Sequence, residues 1–474
     1  MIQKLRIVSN GFKTATAFLI ASLISKGISF ITTPIFTRLM SSEEFGQVSL
    51  FTTWLTVLGI VAMFSLDKGV YNVGMLEHKD DRKEFSFSLL ILSNVITLIF
   101  AIIMIISYPS IKDYIGIDSH LLMVMFAVFL TQPAYNLFIG RSKFEYRYKS
   151  VLVSAIALSV IPLLVSLICV MFSTGNKAYA RIFGMEITCI LIYSGFYFYH
   201  AVSNRFHVEI SYWKKAFLFN LPLIPHYLSQ FVLSGSDRIM ISIIDGESAT
   251  AYYSVAYSIG AAAILIWNAV DGALVPYMLK NCESKSYQKI SNLCIPILAL
   301  VAVGCTLVML FAPEIIRILA PSEYYNAVYV VPPIIVGCFF QVHFSLYANI
   351  AYYYRKQSMV MVSSITAASL NILLNYVFIP RYGYVAAGYT TMLSYIVQAI
   401  MDYYAMYKGA RHLVYDMRRI ILISVGVIIV MLIVTQIYAY WYIRYSFIVL
   451  ILLLAFINRN IIMRYVKQLL GVKE

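Results

Sequence analysis

The sequence predicts an all-α integral membrane protein with about fourteen transmembrane helices. Three observations carry that expectation. Of the 474 residues, 61% are hydrophobic and 12% charged, against roughly half and a quarter in soluble domains. Apolar runs long enough to cross a bilayer recur along the whole chain. The basic residues, which give a formal net charge of +14, fall almost entirely between those runs.

The runs occupy residues 14–35, 47–66, 87–107, 121–140, 151–172, 178–199, 217–243, 249–278, 290–312, 328–350, 359–379, 384–407, 420–438 and 445–463. Most are apolar all round, unlike a surface helix of a soluble protein, which shows a single stripe. Each is too long and continuous for the ten-residue alternating strands of a membrane barrel. The first run follows Lys4, Arg6 and Lys13 with no small-residue cleavage site after it. It therefore reads as a retained span and not as a removable signal peptide. The last two are separated by the aromatic-rich YAYWYIRY at 438–445, suited to an outer interfacial belt.

Charge tests the count. With the N-terminus inside, 27 of the 36 Lys and Arg residues fall in inner segments and seven in outer ones, leaving Lys26 and Arg238 within spans. That asymmetry predicts a multi-pass membrane protein with both termini cytoplasmic. The net charge is then a topology signal with some attraction for anionic membrane lipids, and not a nucleic-acid footprint. No soluble domain of any size fits in the short outer loops, of which the longest is 313–327.

Two stretches look related. RLMSSEEFGQVSL (38–50) joins spans 1 and 2, and IIDGESATAYYSV (243–255) joins spans 7 and 8. An offset of 205 superposes Ser29 on Ser234 and Ser49 on Ser254, and brings Asp67 within one residue of Asp271. With a polar inner loop at 201–216, the pattern suggests two six-helix lobes, 1–200 and 217–407. Residues 408–474 add two further transmembrane helices and a tail. Parallel repeats of this kind place a substrate site between the halves in transporters.

Ionisable residues inside spans are expensive and mark function by default. Lys26 shares a helix face with Ser22, Ser29 and Thr33, so its ammonium points either into a polar cavity or at a neighbouring helix. Snorkelling is poor, because Lys26 lies about 12 residues, or roughly 18 Å, from the start of its span. In span 7, His226, Gln230, Ser234 and Asp237 form a second polar stripe, with Arg238 beside it. Asp237 and Arg238 either line a cavity or pair with each other near the outer interface. Asp67 and Lys68 at the end of span 2, Glu186 in span 6, Asp271 in span 8 and His343 in span 10 complete the set of ion-coupling or cavity candidates. Burial makes protonation switches available to such groups, so an H+ or Na+ gradient is the coupling source they would use.

Other chemistry finds no support in the motifs. There is no GxxxxGK[ST] loop, HExxH, GxSxG or glycine-rich dinucleotide fingerprint, which speaks against an ATPase or a hydrolase. The six cysteines are dispersed, without zinc spacing. No catalytic residue, metal site or resident cofactor is read.

LPLIPHYLSQFVLSGSDRIMIS (221–242) with GESATAYYSVAYSIG (246–260) resembles the span 7–8 region of O-antigen and capsule oligosaccharide flippases. These belong to the multidrug/oligosaccharidyl-lipid/polysaccharide (MOP) exporter superfamily. TPIFTRLMSSEEFGQVSLF (33–51) is similar to that family's span 1–2 hairpin, and YGYVAAGYTTMLSY (382–395) to its span 11–12 hairpin. The resemblance covers most of the chain up to about residue 407. It implies a two-lobe, V-shaped, MATE-like bundle that moves an undecaprenyl-pyrophosphate-linked oligosaccharide repeat unit across the cell inner membrane to its outer leaflet by alternating access. By position it assigns Lys26 and Arg238 to the cavity cations that engage the lipid-linked anionic headgroup. A polysaccharide polymerase and a chain-length regulator are the partners it suggests. Twelve spans are frequent in that family, and the two extra C-terminal helices look like those of lipid II flippases and some polysaccharide transporters. The alternatives are an ion-coupled multidrug exporter, which would favour cavity carboxylates over cations, or a lipid II-type flippase of the same superfamily; a membrane polymerase or ligase would need a larger outer loop.

Overall fold

In lipid every backbone N–H and C=O must be satisfied within the segment, so a continuous apolar run folds as a helix. The computed structural model bears this out over residues 27–28, 30–204, 206–460 and 463–465, the part described here. Residues 30–39 are helical. Sixteen α-helices then follow: α1 (Ser42–Ala62), α2 (Gly69–Glu77), α3 (Arg82–Ile115), α4 (Ser119–Phe144), α5 (Tyr148–Phe172), α6 (Lys177–Ser203), α7 (Ser211–Asn220), α8 (Ile224–Asp245), α9 (Glu247–Glu283), α10 (Tyr287–Leu310), α11 (Ala312–Leu319), α12 (Val331–Tyr353), α13 (Gln357–Tyr382), α14 (Tyr384–Ala410), α15 (Met417–Ile437) and α16 (Trp441–Ile457). Among the described residues, eleven helical segments are long and apolar enough to cross a membrane, and α16 is a shorter apolar helix. The second to fourteenth expected spans each coincide with a helix. Most of the first lies outside the described residues.

Outward faces carry the apolar side chains that a soluble protein would hide. Ile106 on α3 and Leu422 on α15 are each 74% exposed, as suits side chains meeting lipid tails. Asp237, Asn371, Asn375 and Asp402 are instead buried.

The chain divides into two compact units. The first comprises Met1–Phe231 with Gly246–Ala251, and the second Val232–Asp245 with Tyr252–Glu474. In the first unit, α1 starts with a capping box. The Ser41 hydroxyl accepts from the Glu44 N–H at 3.2 Å, and the Glu44 carboxylate accepts from the Ser41 N–H at 2.9 Å. The other Glu44 oxygen accepts from the Lys177 N–H at 2.8 Å, and Lys177 Nζ donates to Leu39 O at 2.7 Å, which ties the start of α6 to α1. The two stretches that look related meet in this unit: the Ser42 and Ser248 hydroxyls are 3.3 Å apart.

A break separates α1 from α2. Phe64 and Ser65 take positive φ of 54° and 43°, a costly region for non-glycine residues. The buried Asn220 side chain holds them there, donating to Phe64 O at 2.8 Å and Ser65 O at 2.9 Å and accepting from the Val70 N–H at 3.3 Å. This turn carries Asp67 and Lys68. The short helix α7 packs beside α3, where Trp213 Nε1 donates to Ser88 O at 3.0 Å.

In the second unit, α14 packs along α12 and α13, while α15 lies against α10 and α12. The C-terminal pair is strapped down by Arg444, 3% exposed, which donates to Leu310 O at 2.7 Å and to both Glu314 oxygens at 2.8 Å. Bidentate pairing of this sort is among the stronger charge-assisted contacts.

Candidate functional site

A connected polar cluster lies inside the second unit. Asp237 on α8 is 1% exposed, and three helices supply donors to its carboxylate. Asn375 Nδ2 on α13 donates to Oδ1 at 2.6 Å, Thr391 on α14 donates to Oδ2 at 2.7 Å, and the Tyr253 hydroxyl on α9 donates to the same oxygen. Asn371 and Asn375 are four residues apart on α13 and so share a face. Asn371 Nδ2 donates to the Thr391 hydroxyl at 3.0 Å, and its Oδ1 accepts from Ser236 at 3.2 Å. Thr390 donates to Asn375 Oδ1. The network joins four helices through oxygen-bearing groups, the ligand type that hard cations and protons share.

Arg238 faces elsewhere. One residue along a helix turns the side chain by about 100°, which carries the guanidinium away from Asp237. It donates through Nε to the Ser254 hydroxyl at 3.2 Å and through Nη1 to Ser234 O at 3.4 Å, and lies 4.6 Å from the centre of the Tyr257 ring. The Asp237–Arg238 ion pair weighed from sequence does not form, because the carboxylate is already taken.

The other candidates occupy separate places. Asp271 on α9 accepts from Ser345 at 2.8 Å and Asn349 at 3.1 Å, both on α12. His343, 2% exposed, has Nδ1 3.0 Å from Phe339 O and Nε2 3.2 Å from the Ser424 hydroxyl, which ties α12 to α15. His226 is half-buried beside Tyr227. Lys26 lies outside the described residues.

In the first unit, Asp67 lies in the turn beyond the end of α1, outside the membrane-spanning segments. Burial pushes its carboxyl up, opposed by the adjacent Lys68, its own backbone N–H, the Asn136 side chain and Lys143. Lys68 sits over the Tyr227 ring at 4.6 Å. Glu186 on α6, 8% exposed, opens onto a cavity of about 510 Å³ lined also by Phe36, Phe51, Tyr135, Arg181 and Tyr193. Among the described residues Glu186 has no hydrogen-bond or ion-pair partner. Arg181 caps the Phe36 ring at 3.8 Å, so among the described residues the cavity lining includes one carboxylate and one guanidinium beside aromatic walls.

Sequence reasoning found most of the charged residues, passed over Asp402 on α14, which is 0% exposed and accepts from Ser363 at 2.6 Å, and missed the neutral ones. Asn371, Asn375, Thr390, Thr391 and Tyr253 add nothing to a charge search. The available signal was the i, i+4 pair of asparagines in an otherwise apolar span. Arg141, 1% exposed at the end of α4, was counted only as a loop cation.

Comparisons with known proteins agree with this architecture. The family profile described as polysaccharide biosynthesis protein matches residues 12–282, and the MatE profile matches residues 222–377. The Lsg locus putative protein 1 of Haemophilus influenzae is 19% identical over 373 residues, covering 76% of this chain and 89% of the relative. Among solved structures, the lipid II flippase MurJ in an inward closed conformation aligns with a TM-score of 0.64 at 16% identity, covering 94% of this chain and 99% of that one. An inward-facing multidrug resistance MATE family transporter of the MOP superfamily aligns with a TM-score of 0.62 at 12% identity, covering 85% and 98%. The profile match spans more than half of the chain, and the structural matches share its helical fold. The chain therefore belongs to the polysaccharide biosynthesis protein family, as a multi-pass membrane protein on the fold of the MOP superfamily.

Proposed function

We propose that this protein is a flippase that moves an undecaprenyl-pyrophosphate-linked oligosaccharide repeat unit from the cytoplasmic to the outer leaflet of the inner membrane, for O-antigen, capsule or exopolysaccharide synthesis. The observation that carries the reading is the family match over residues 12–282. Physical chemistry supports it. A pyrophosphate crossing the bilayer leaves water for a region where charge is costly. Cations held inside the bundle offset part of that cost. Lys26 and Arg238 take this role, with Lys26 assigned from sequence alone. Alternating access of the two halves moves the substrate. An H+ or Na+ gradient supplies direction through Asp237, whose shell of hydroxyl and amide groups suits either ion. Glu186, Asp271, His226, Asp67 and Lys68 are the further coupling or cavity residues.

The test is complementation of a strain that lacks its own flippase. Lys26→Ala and Arg238→Ala should reduce surface glycan to background while the protein inserts at normal levels. Normal glycan from either variant removes that residue from the mechanism. Transport of a lipid-linked oligosaccharide into proteoliposomes tests the activity itself.

A second reading rests on the MatE match at residues 222–377 and on the Glu186 cavity, whose carboxylate would attract a cationic drug. On that reading the protein is an ion-coupled multidrug exporter. It predicts drug sensitivity and normal surface glycan when the gene is removed, the reverse of the flippase outcome.

A further inference from the structure

We propose that a pocket on the first unit, where α4, α5 and α6 meet beside the loop Glu145–Arg147, binds the headgroup and upper acyl chain of an anionic membrane phospholipid. The pocket measures about 470 Å³. Its polar lining is Arg147, Ser150 and Tyr199, and its apolar lining includes Phe138, Gly195 and Phe196. All three polar groups can donate hydrogen bonds, and among the described residues no carboxylate lines the pocket.

The donors are organised. The Tyr199 hydroxyl accepts from Arg141 Nη2 at 3.1 Å and from Arg147 Nη1 at 3.5 Å, which leaves its own proton to give away. Arg141 is 1% exposed and lies 5.4 Å from the Tyr199 ring centre. Its Nη1 has no hydrogen-bond partner among the described residues. Glu145 pairs with both arginines, at 3.5 Å from Arg141 Nε and 2.8 Å from Arg147 Nε. Two guanidinium groups against one carboxylate leave the cluster positive, and Lys143 and Lys149 are exposed on the same stretch.

Polarity changes along the pocket as it does along a phospholipid. Arg147 and Ser150 lie at the loop end, while Ile192 lies seven residues along α6 from Tyr199, roughly 10 Å deeper at 1.5 Å per residue. A phosphate at the loop end would meet the donors, and an acyl chain would run over Phe196 and Phe138. Free phosphate would fill only the polar end. The charge asymmetry counts this loop among the inner segments, where anionic lipid headgroups concentrate.

Native mass spectrometry of the full-length protein in detergent tests the proposal, with phosphatidylglycerol and phosphatidylcholine of matched chains as probes. The wild type should retain one phosphatidylglycerol in preference to phosphatidylcholine. Arg147→Gln should weaken that retention about tenfold, as expected for loss of a charge-assisted contact. Gly195→Trp should abolish it, because Gly195 lines the pocket and a Cβ built there meets nothing within 4 Å, so the ring is introduced from an open position. Lys149→Gln, outside the lining, should retain the lipid. Four outcomes would overturn the idea. One is equal retention of the two lipids, and another is unchanged binding by Arg147→Gln and monodisperse Gly195→Trp. A third is an equal loss in Lys149→Gln, which would indicate a diffuse basic surface. The fourth is displacement of phosphatidylglycerol by undecaprenyl phosphate at equal concentration, which would give the pocket to a polyprenyl phosphate. No transport readout enters, so the result is independent of the flippase reading.

Discussion

Asp237 and Arg238 are chain neighbours with different surroundings, and the difference sets what each substitution should do. Removing the Asp237 carboxylate strands the donors of Tyr253, Asn375 and Thr391 inside the bundle. A buried donor without an acceptor costs about 1–3 kcal/mol in soluble proteins, and hydrogen bonds between membrane helices average about 0.6 kcal/mol. Asp237→Ala should therefore lower stability by about 2 kcal/mol, read as a drop in the melting temperature of purified protein in detergent. Asp237→Asn keeps an acceptor and the shape of the side chain, so most stability should survive, while coupled transport should be lost if the carboxylate carries an ion. Wild-type stability in Asp237→Ala would show that the network contributes nothing to holding the helices. The acid itself was legible in the sequence because charge stands out in an apolar run. Its partners were not, because Thr390 and Thr391 look the same whether they face lipid, backbone or a carboxylate. Only the packing of α13 on α14 distinguishes these cases.

Between elements, α1 and α9 come close at a glycine. A Cβ at Gly46 on α1 would lie 1.9 Å from Glu247 O in the first turn of α9. Alanine there gains about 1 kcal/mol of helix propensity, but overpacking against backbone costs about 1–3 kcal/mol. The clash should win, so Gly46→Ala should melt below wild type; a higher melting temperature would mean the contact yields without cost. The strap on the C-terminal pair gives a pH signature. Burial pushes the Glu314 carboxyl up, but hydrogen bonds from Arg444 and its own backbone, with the Arg444 charge, outweigh burial and hold the group below the ordinary glutamate range. A depressed carboxyl contributes stability that is present above its unfolded pKa and lost as pH falls through the folded value. The melting-temperature gap between wild type and Glu314→Gln should be widest near neutrality, begin to narrow near the ordinary glutamate pKa of about 4.3, and close only as pH falls through the lower folded value. A gap that stays constant with pH would assign the effect to packing. Neither α11 nor α7 stood out in the sequence. Both are short, mix polar with apolar residues, and owe their form to neighbours such as Arg444 and Ser88.

At the scale of the molecule, the long spans were legible because lipid permits so few solutions for an apolar run. The break at Phe64–Lys68 was not, because nothing local in FSLDK announces a turn that a distant Asn220 holds in place. Orientation rests on the charge asymmetry, and the helix order makes it testable. Successive connections should alternate sides, with Lys79–Asp81 cytoplasmic and Ser173–Asn176 external. Among the six natural cysteines, five are buried and Cys169 is half-buried, so a single added thiol should dominate labelling. Asp80→Cys and Gly175→Cys both fall at exposed positions, and a Cβ at Gly175 meets nothing within 4 Å. A membrane-impermeant thiol reagent should label Gly175→Cys in intact spheroplasts, and Asp80→Cys only after permeabilisation. The opposite pattern would invert the protein in the membrane. Labelling of both from outside would break the alternation itself, and with it either the count of crossings between residues 80 and 175 or the reading of α3, α4 and α5 as complete spans.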